Sequence, residues 1–203
     1  MGLNNNIKLA FQLSFQNRCI QLFVSAYKSA VSEKSISLDW DENDITAQLH
    51  SYIDNNPQRS VWKISTNVEH HLAIKNQTKL KGFSAKYPRI DLRFNTFNST
   101  NEVIYFMEAK NLRENNSALK RRYIETGIDN FVHGKYKNGL LVGYLLSGKI
   151  GGTIDGVNKL LRKDNRDAEI ILKCSSNYHD QYFQSRHLNI DILKHLLFDF
   201  TLC

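Results

Sequence analysis

The chain is poor in proline, with two in 203 residues, and it contains no Ser/Gly tract. That leaves no stretch suited to a flexible linker, and no internal repeat is visible. Cysteine is sparse as well. Cys19, Cys174 and Cys203 are odd in number and far apart, which argues against a disulfide framework and against a zinc site. Buried or incidental thiols of a reducing cytoplasm are the reading they leave. Long apolar runs are missing too. Nothing approaches the roughly 20 continuous apolar residues of a membrane span. The apolar start of the chain is interrupted by Gln12, Ser14, Gln16, Asn17 and Arg18, unlike a signal peptide. A soluble cytoplasmic protein, with no membrane partner, is therefore expected.

Acidic residues are outnumbered: 27 Lys and Arg face 20 Asp and Glu, a formal net charge of +7. Such an excess attracts anionic partners over long range, without choosing between DNA, RNA, an acidic protein and a membrane surface. The length suits one domain, 1–203, with a sizeable core.

Ile7, Phe11, Phe15, Cys19, Phe23 and Tyr27 recur every fourth position and predict an amphipathic helix over about 4–31. Residues 7–15 also alternate like a strand, which leaves the first turns open. Asp41 can cap a second helix over about 42–53, ended by Asn55, Asn56 and Pro57. Strands are expected over 61–68, 89–94 and 103–109. The turn formers of 95–101 make the last two an antiparallel hairpin. A helix fits 117–132 and a buried strand 140–146. Beyond these come a helix over 152–161, a strand over 168–174 and a helix or strand over 190–198. The expected class is α/β, a mixed β-sheet flanked by helices, with a core over about 41–146 and C-terminal additions over about 147–203.

Within that order, Pro88-Arg89-Ile90-Asp91 and Glu108-Ala109-Lys110 stand out. Asp91 interrupts an apolar strand, and the period of two places Glu108 and Lys110 on one face of the next. Two carboxylates there suit a hard cation such as Mg²⁺, which would polarise a phosphodiester and acidify a bound water. Lys110 could orient that water or steady charge developing on the phosphate. The competing reading is a salt bridge from Lys110 to Glu108 or Asp91.

The motif in this context resembles the PD-(D/E)XK, or restriction-endonuclease-like, nuclease superfamily, whose core runs α-β-β-β-α-β. The resemblance implies a metal-dependent DNA endonuclease using Mg²⁺, or Mn²⁺ in its place. Asp91 would be the motif Asp, Glu108 its acid and Lys110 its Lys, with Ala109 offering a backbone carbonyl to the metal. Pro88 stands two residues further from Asp91 than the family pattern has it. The family often adds an acid on the first core helix. Glu42 is the candidate, with Asp41 and Asp44 as rivals and a helix-terminal charge as the alternative role. The basic start of the helix after the motif, Lys120, Arg121 and Arg122, would meet backbone phosphate, with Arg93 and Lys86 adding charge. Lys79 and Lys81 lie near these.

The segment from Tyr123 to Gly143 is also similar to bacterial restriction-like and antiphage-defence nucleases. This implies a role against foreign DNA. A small nuclease domain must meet both strands of a duplex, so a homodimer is expected, and with no recognisable sequence-reading module a protein partner in a defence complex is expected to supply any specificity. An RNA nuclease would use the same residues, and a non-catalytic nucleic-acid-binding or assembly subunit would keep only the fold. Other features carry less. Gly148-Lys149-Ile150-Gly151-Gly152 lacks the Gly-Lys-Ser/Thr ending of a phosphate loop. His70 and His71 point to opposite strand faces. His187 and His195 read as structural or surface histidines.

Overall fold

Apolar residues repeating at three and four positions build α1 (Asn5–Ser32), which buries Phe15, Cys19, Leu22, Phe23, Ala26 and Ala30. Helix wins over the alternating pattern at its start, although Ile7, Leu9 and Leu13 stay exposed. The computed structural model describes residues 5–71, 89–98 and 101–202. In α2 (Glu42–Asp54) the Asp41 carboxylate accepts from the amides of Asn43 and Asp44, and Ile45, Leu49 and Ile53 point inward. The strand expected over 61–68 begins later. The Asn56 side chain caps a further turn, with Pro57 favourably placed at its first position, so α3 (Pro57–Val61) precedes β1 (Ser65–His71).

β2 (Arg89–Asn98) and β3 (Asn101–Arg113) run well into the segment read as turn formers and pair antiparallel, as their spacing implied. The helix over 117–132 has three parts: α4 (Ser117–Arg122), a π-helical turn (Tyr123–Ile128) and α5 (Asp129–Val132). β4 (Gly139–Ser147) and α6 (Ile150–Lys163) follow. The strand expected over 168–174 shrinks to β5 (Leu172–Lys173), after a 3₁₀ turn at Asp167–Glu169. β6 (Tyr182–His187) has no counterpart in the sequence reading, and the ambiguous segment 190–198 is strand β7 (Asp191–Asp199).

These seven strands form one mixed sheet in the order β1-β2-β3-β4-β7-β6-β5. β3, β4 and β7 are parallel, and all other pairs are antiparallel. Residues 147–203, expected as additions, thus supply three strands, and β7 lies directly beside β4. The near-continuous apolar run of β4 is explained by burial on both faces. Leu140, Val142, Tyr144 and Leu146 join one cluster with α1 and α2. Leu141 and Leu145 join another with the helical segment 123–131 and α6. Gly139 marks a close approach of backbone to backbone, since a Cβ there would lie 2.5 Å from the Phe106 carbonyl oxygen.

The second face also holds a buried polar chain. Tyr123 Oη lies 2.9 Å from His195 Nδ1, and His195 Nε2 lies 2.8 Å from Ser185 Oγ. Ser185 Oγ lies 2.6 Å from His187 Nε2, whose Nδ1 lies 2.6 Å from Glu169 Oε2. Both histidines are buried. Burial above all, then the neighbouring His187, holds His195 down to a pKa of about 3.

Two outcomes are expected. Gly139→Ala should lower stability by about 1–3 kcal/mol in urea unfolding, because a backbone carbonyl cannot step aside as a side-chain end can. His195 should gain no charge between pH 7.5 and 5 when followed by imidazole NMR. Its contribution is complete above the ordinary histidine value of about 6.5 and is lost as pH falls toward 3, since only the unfolded chain takes up the proton in that window.

Candidate active site

The site is built on an edge that β2 abandons. β2–β3 pairing runs from Asn98↔Asn101 to Leu92↔Met107 and stops there, while β1 stays paired with β2 as far as Arg89. The β3 amides beyond Met107 on that side therefore need other acceptors. Asp91 supplies one, its Oδ2 accepting from Ala109 N at 2.6 Å. Two residues on, and so on the same edge, Asn111 N donates to Glu42 Oε1 at 3.2 Å. Glu42 sits in the first turn of α2, where its charge also suits the helix terminus. Asp41 is engaged as the cap and Asp44 is exposed, so neither rival reaches this edge.

Glu108 and Lys110 face the opposite helical layer. Both are buried, and Lys110 Nζ donates to Glu108 Oε1 at 2.7 Å and to the Ala109 carbonyl at 2.8 Å. Tyr136 Oη donates to the other Glu108 oxygen at 2.8 Å. Burial and the Glu108 charge push the Tyr136 phenol well up, so it stays a donor. The π-helical turn lies over the lysine stem: a Cβ on Gly127 would be 3.6 Å from Lys110 Cγ. The salt bridge is thus real, but it is a buried pair and not a solvated one. Removing one partner of such a pair costs about 3–5 kcal/mol.

Asp91 carries the electrostatic signature. Its carboxyl is raised to about 6, by burial first and then by repulsion from Glu108, with a smaller push from Glu42. Lys110 and the Ala109 amide pull the other way. The donor set, two carboxylates and the Ala109 carbonyl, is all oxygen and fits a hard divalent cation, whose charge would relieve the strain on Asp91. No group of three or more His, Cys, Asp or Glu among the described residues is placed to hold a metal. The Ala109 carbonyl and both Glu108 oxygens are meanwhile engaged by Lys110 and Tyr136.

The basic residues expected to face phosphate are mostly tied within the chain. Arg93 pairs with Glu102 at 2.6 Å, and Lys120 donates to the Glu114 carbonyl at 2.7 Å. Arg121 meets Asp164 and Glu125. Arg122 pairs with Glu42 at 3.1 Å while remaining 52% exposed, which places it beside the site and open to solvent. Lys79, Lys81, Lys86 and Pro88 lie outside the described residues. The Gly148–Gly152 segment does lead into a helix, with Ile150, Gly151 and Gly152 already in the first turn of α6, but Glu114 occupies it: Oε2 accepts from Lys149 N at 2.8 Å, and a Cβ on Gly152 would strike Oε1. Tyr136 is the participant that sequence reading missed. It lies 28 residues from Glu108, with no spacing to announce it.

Asp91→Asn keeps an acceptor for Ala109 N and removes the repelled charge. It should raise stability by about 1–2 kcal/mol at pH 7.5, read from urea unfolding. Because the folded pKa is raised, ionisation costs stability as pH climbs from about 4 to 6. The gain should therefore shrink toward zero as pH falls to about 4. Compared with protein-family models, curated proteins and solved structures, the chain finds no match.

Proposed function

We propose that the chain is a metal-dependent endonuclease that hydrolyses phosphodiester bonds of DNA. The observation that carries this is the gathering of Asp91, Glu108 and Lys110 where β2 leaves β3, with Asp91 raised to about 6 by burial first and then by Glu108. Acids held together at a cost to the fold are common where chemistry requires them. Asp91, Glu108 and the Ala109 carbonyl would hold Mg²⁺ or Mn²⁺. Such an ion polarises a phosphoryl oxygen and makes a bound water acidic.

The chain's own residues do the rest. Lys110, bonded now to Glu108, is a fixed cation able to hold the attacking water or a non-bridging phosphate oxygen. Tyr136 keeps Glu108 turned toward that lysine. Glu42 and Arg122 form a pair at the mouth of the site, and a phosphate could draw Arg122 away from Glu42. A role in bacterial defence against foreign DNA, alone or with a partner protein, is the setting that the resemblance to restriction-like nucleases points to.

One observation favours a second reading, a non-catalytic nucleic-acid-binding or assembly subunit. The described basic residues near the site are each held by an acid or a carbonyl of the same chain, as a closed structural surface would be.

Purified protein with duplex DNA and Mg²⁺ tests the first reading, with matched RNA as the competing substrate. Asp91→Asn and Lys110→Ala should each lose cleavage by about 100-fold or more. Asp91→Asn should stay folded, so its loss cannot be charged to unfolding. Undiminished cleavage by both variants would sink the assignment. Stable co-purification with a partner, without cleavage of either nucleic acid, would favour the second reading.

A further inference from the structure

The buried polar chain on the second face has a direction, and the direction follows from one charge. Glu169 is ionised, its carboxyl lowered mainly by the Arg166 guanidinium against the opposing effect of burial, and a carboxylate only accepts. His187 Nδ1 must therefore donate to it, which leaves neutral His187 an acceptor at Nε2. Ser185 then donates to His187, and its oxygen accepts from His195 Nε2. His195 Nδ1 is left to accept from Tyr123. Every bond points from the π-helical turn toward Glu169. Tyr123 is fully buried, and His195 is its hydrogen-bond acceptor.

We propose that this chain is an acid-sensitive latch, in which uptake of a single proton, ending as a charge on His187, reverses the three bonds between Tyr123 and His187 and releases the π-helical turn from the sheet. The balance is simple. His187 Nε2 receives the Ser185 proton, Ser185 that of His195 Nε2, and His195 Nδ1 that of Tyr123, whose hydroxyl takes the added proton from solvent as the turn opens, while His187 Nδ1 goes on donating to Glu169. The net change is one proton gained, with the charge on His187. His195 stays neutral, but its proton has moved from Nε2 to Nδ1. It now donates to Tyr123 Oη, and the phenolic proton has lost its acceptor in a fully buried place.

Several features make the His187 end the sensitive one. It borders a cavity of about 440 Å³ lined also by Val132, Arg186 and Leu188, which leaves room for water beside the charge that settles on His187. The groups facing His187 are Glu169 on the 3₁₀ turn, Arg166 before it, Asp129 on α5, Ser185 on its own strand β6, and His195 on the neighbouring β7. Arg166 binds both Glu169 and Asp129, so the anion that steadies a charged His187 is itself fixed. Burial lowers His187 from its ordinary value, which puts the switch below about pH 6.5. At the other end, the released turn is the one that covers Lys110. The effect on cleavage rests on the nuclease reading, whereas the latch itself does not.

The test follows nitrogen-15 NMR of the histidines together with amide hydrogen exchange in 123–128, corrected for the intrinsic pH dependence of exchange. Below pH 6.5, His195 should swap its protonated nitrogen without gaining charge as His187 becomes charged. Protection in 123–128 should fall tenfold or more in the same step. Ser185→Ala should abolish both. Where that variant does not fold, Tyr123→Phe carries the test: it has no hydroxyl proton to strand, so the exchange step should vanish. Glu169→Gln should move the step to lower pH. Titration of His187 with the His195 tautomer unchanged, or protection that stays level through the titration, would overturn the proposal. So would a step moved to higher pH by Glu169→Gln. None of these readouts uses cleavage, so a chain that cuts no DNA can still show the latch, and a nuclease can lack it.

Discussion

Strand β3 must satisfy its backbone on both sides, and on one side its partner leaves early. Past Met107 the Ala109 and Asn111 amides turn toward an edge that β2 no longer fills, and two carboxylates take up the work of a strand. This one requirement explains why acids sit inside an otherwise apolar sheet. It also explains why they sit close together. Edge amides on one side of a strand recur every second residue, so the acids that serve them are brought within reach of each other and of Glu108. A buried amide in place of each acid would meet the same hydrogen-bonding need without repulsion. That acids occur there instead is what gives the cluster its chemical interest.

The rest of the molecule holds this arrangement rigid. β4 is apolar on both faces and locks β3 against β7, while the two hydrophobic clusters press α1 and α2 on one side and the helical segment with α6 on the other. Two sets of polar groups inside these layers are closed: Lys110 with Glu108 and Tyr136, and the histidine chain with Glu169. Each set is worth keeping only while complete, because one missing partner leaves a charge or a donor stranded. Rigidity and sensitivity to protonation thus have the same origin.

Much of this was legible in the residues. Apolar spacing announced α1 and α2, and Asp41 announced the cap. The turn formers after Phe94 announced a hairpin, although β2 and β3 extend well into that segment because cross-strand pairing overrides the local preference of Asn and Ser. Asp91, Glu108 and Lys110 could be singled out because strand periodicity is short and reliable. What was illegible depended on distance along the chain. Tyr136 reaches Glu108 across 28 residues, and β7 finds its place beside β4 after some fifty intervening positions. Asn56-Pro57 was read as the end of one helix when it also begins another, since the same capping residue serves either purpose. The glycines of 148–152 lack the ending of a phosphate loop, and the fold adds the reason Gly148 and Gly152 are small, since Glu114 fills the space.

The wide turn between Tyr123 and Ile128 has a consequence for length. A π-helical turn holds one residue more than the α-helical ladder needs, and the surplus is absorbed as a bulge. Each residue of an α-helix advances the side chains by about 100°. Shortening this stretch by one would leave a regular helix, yet it would swing Ile128 and Phe131 off the sheet or carry Tyr123 away from His195. The two ends of the helix face the same layer only because there is one residue too many between them.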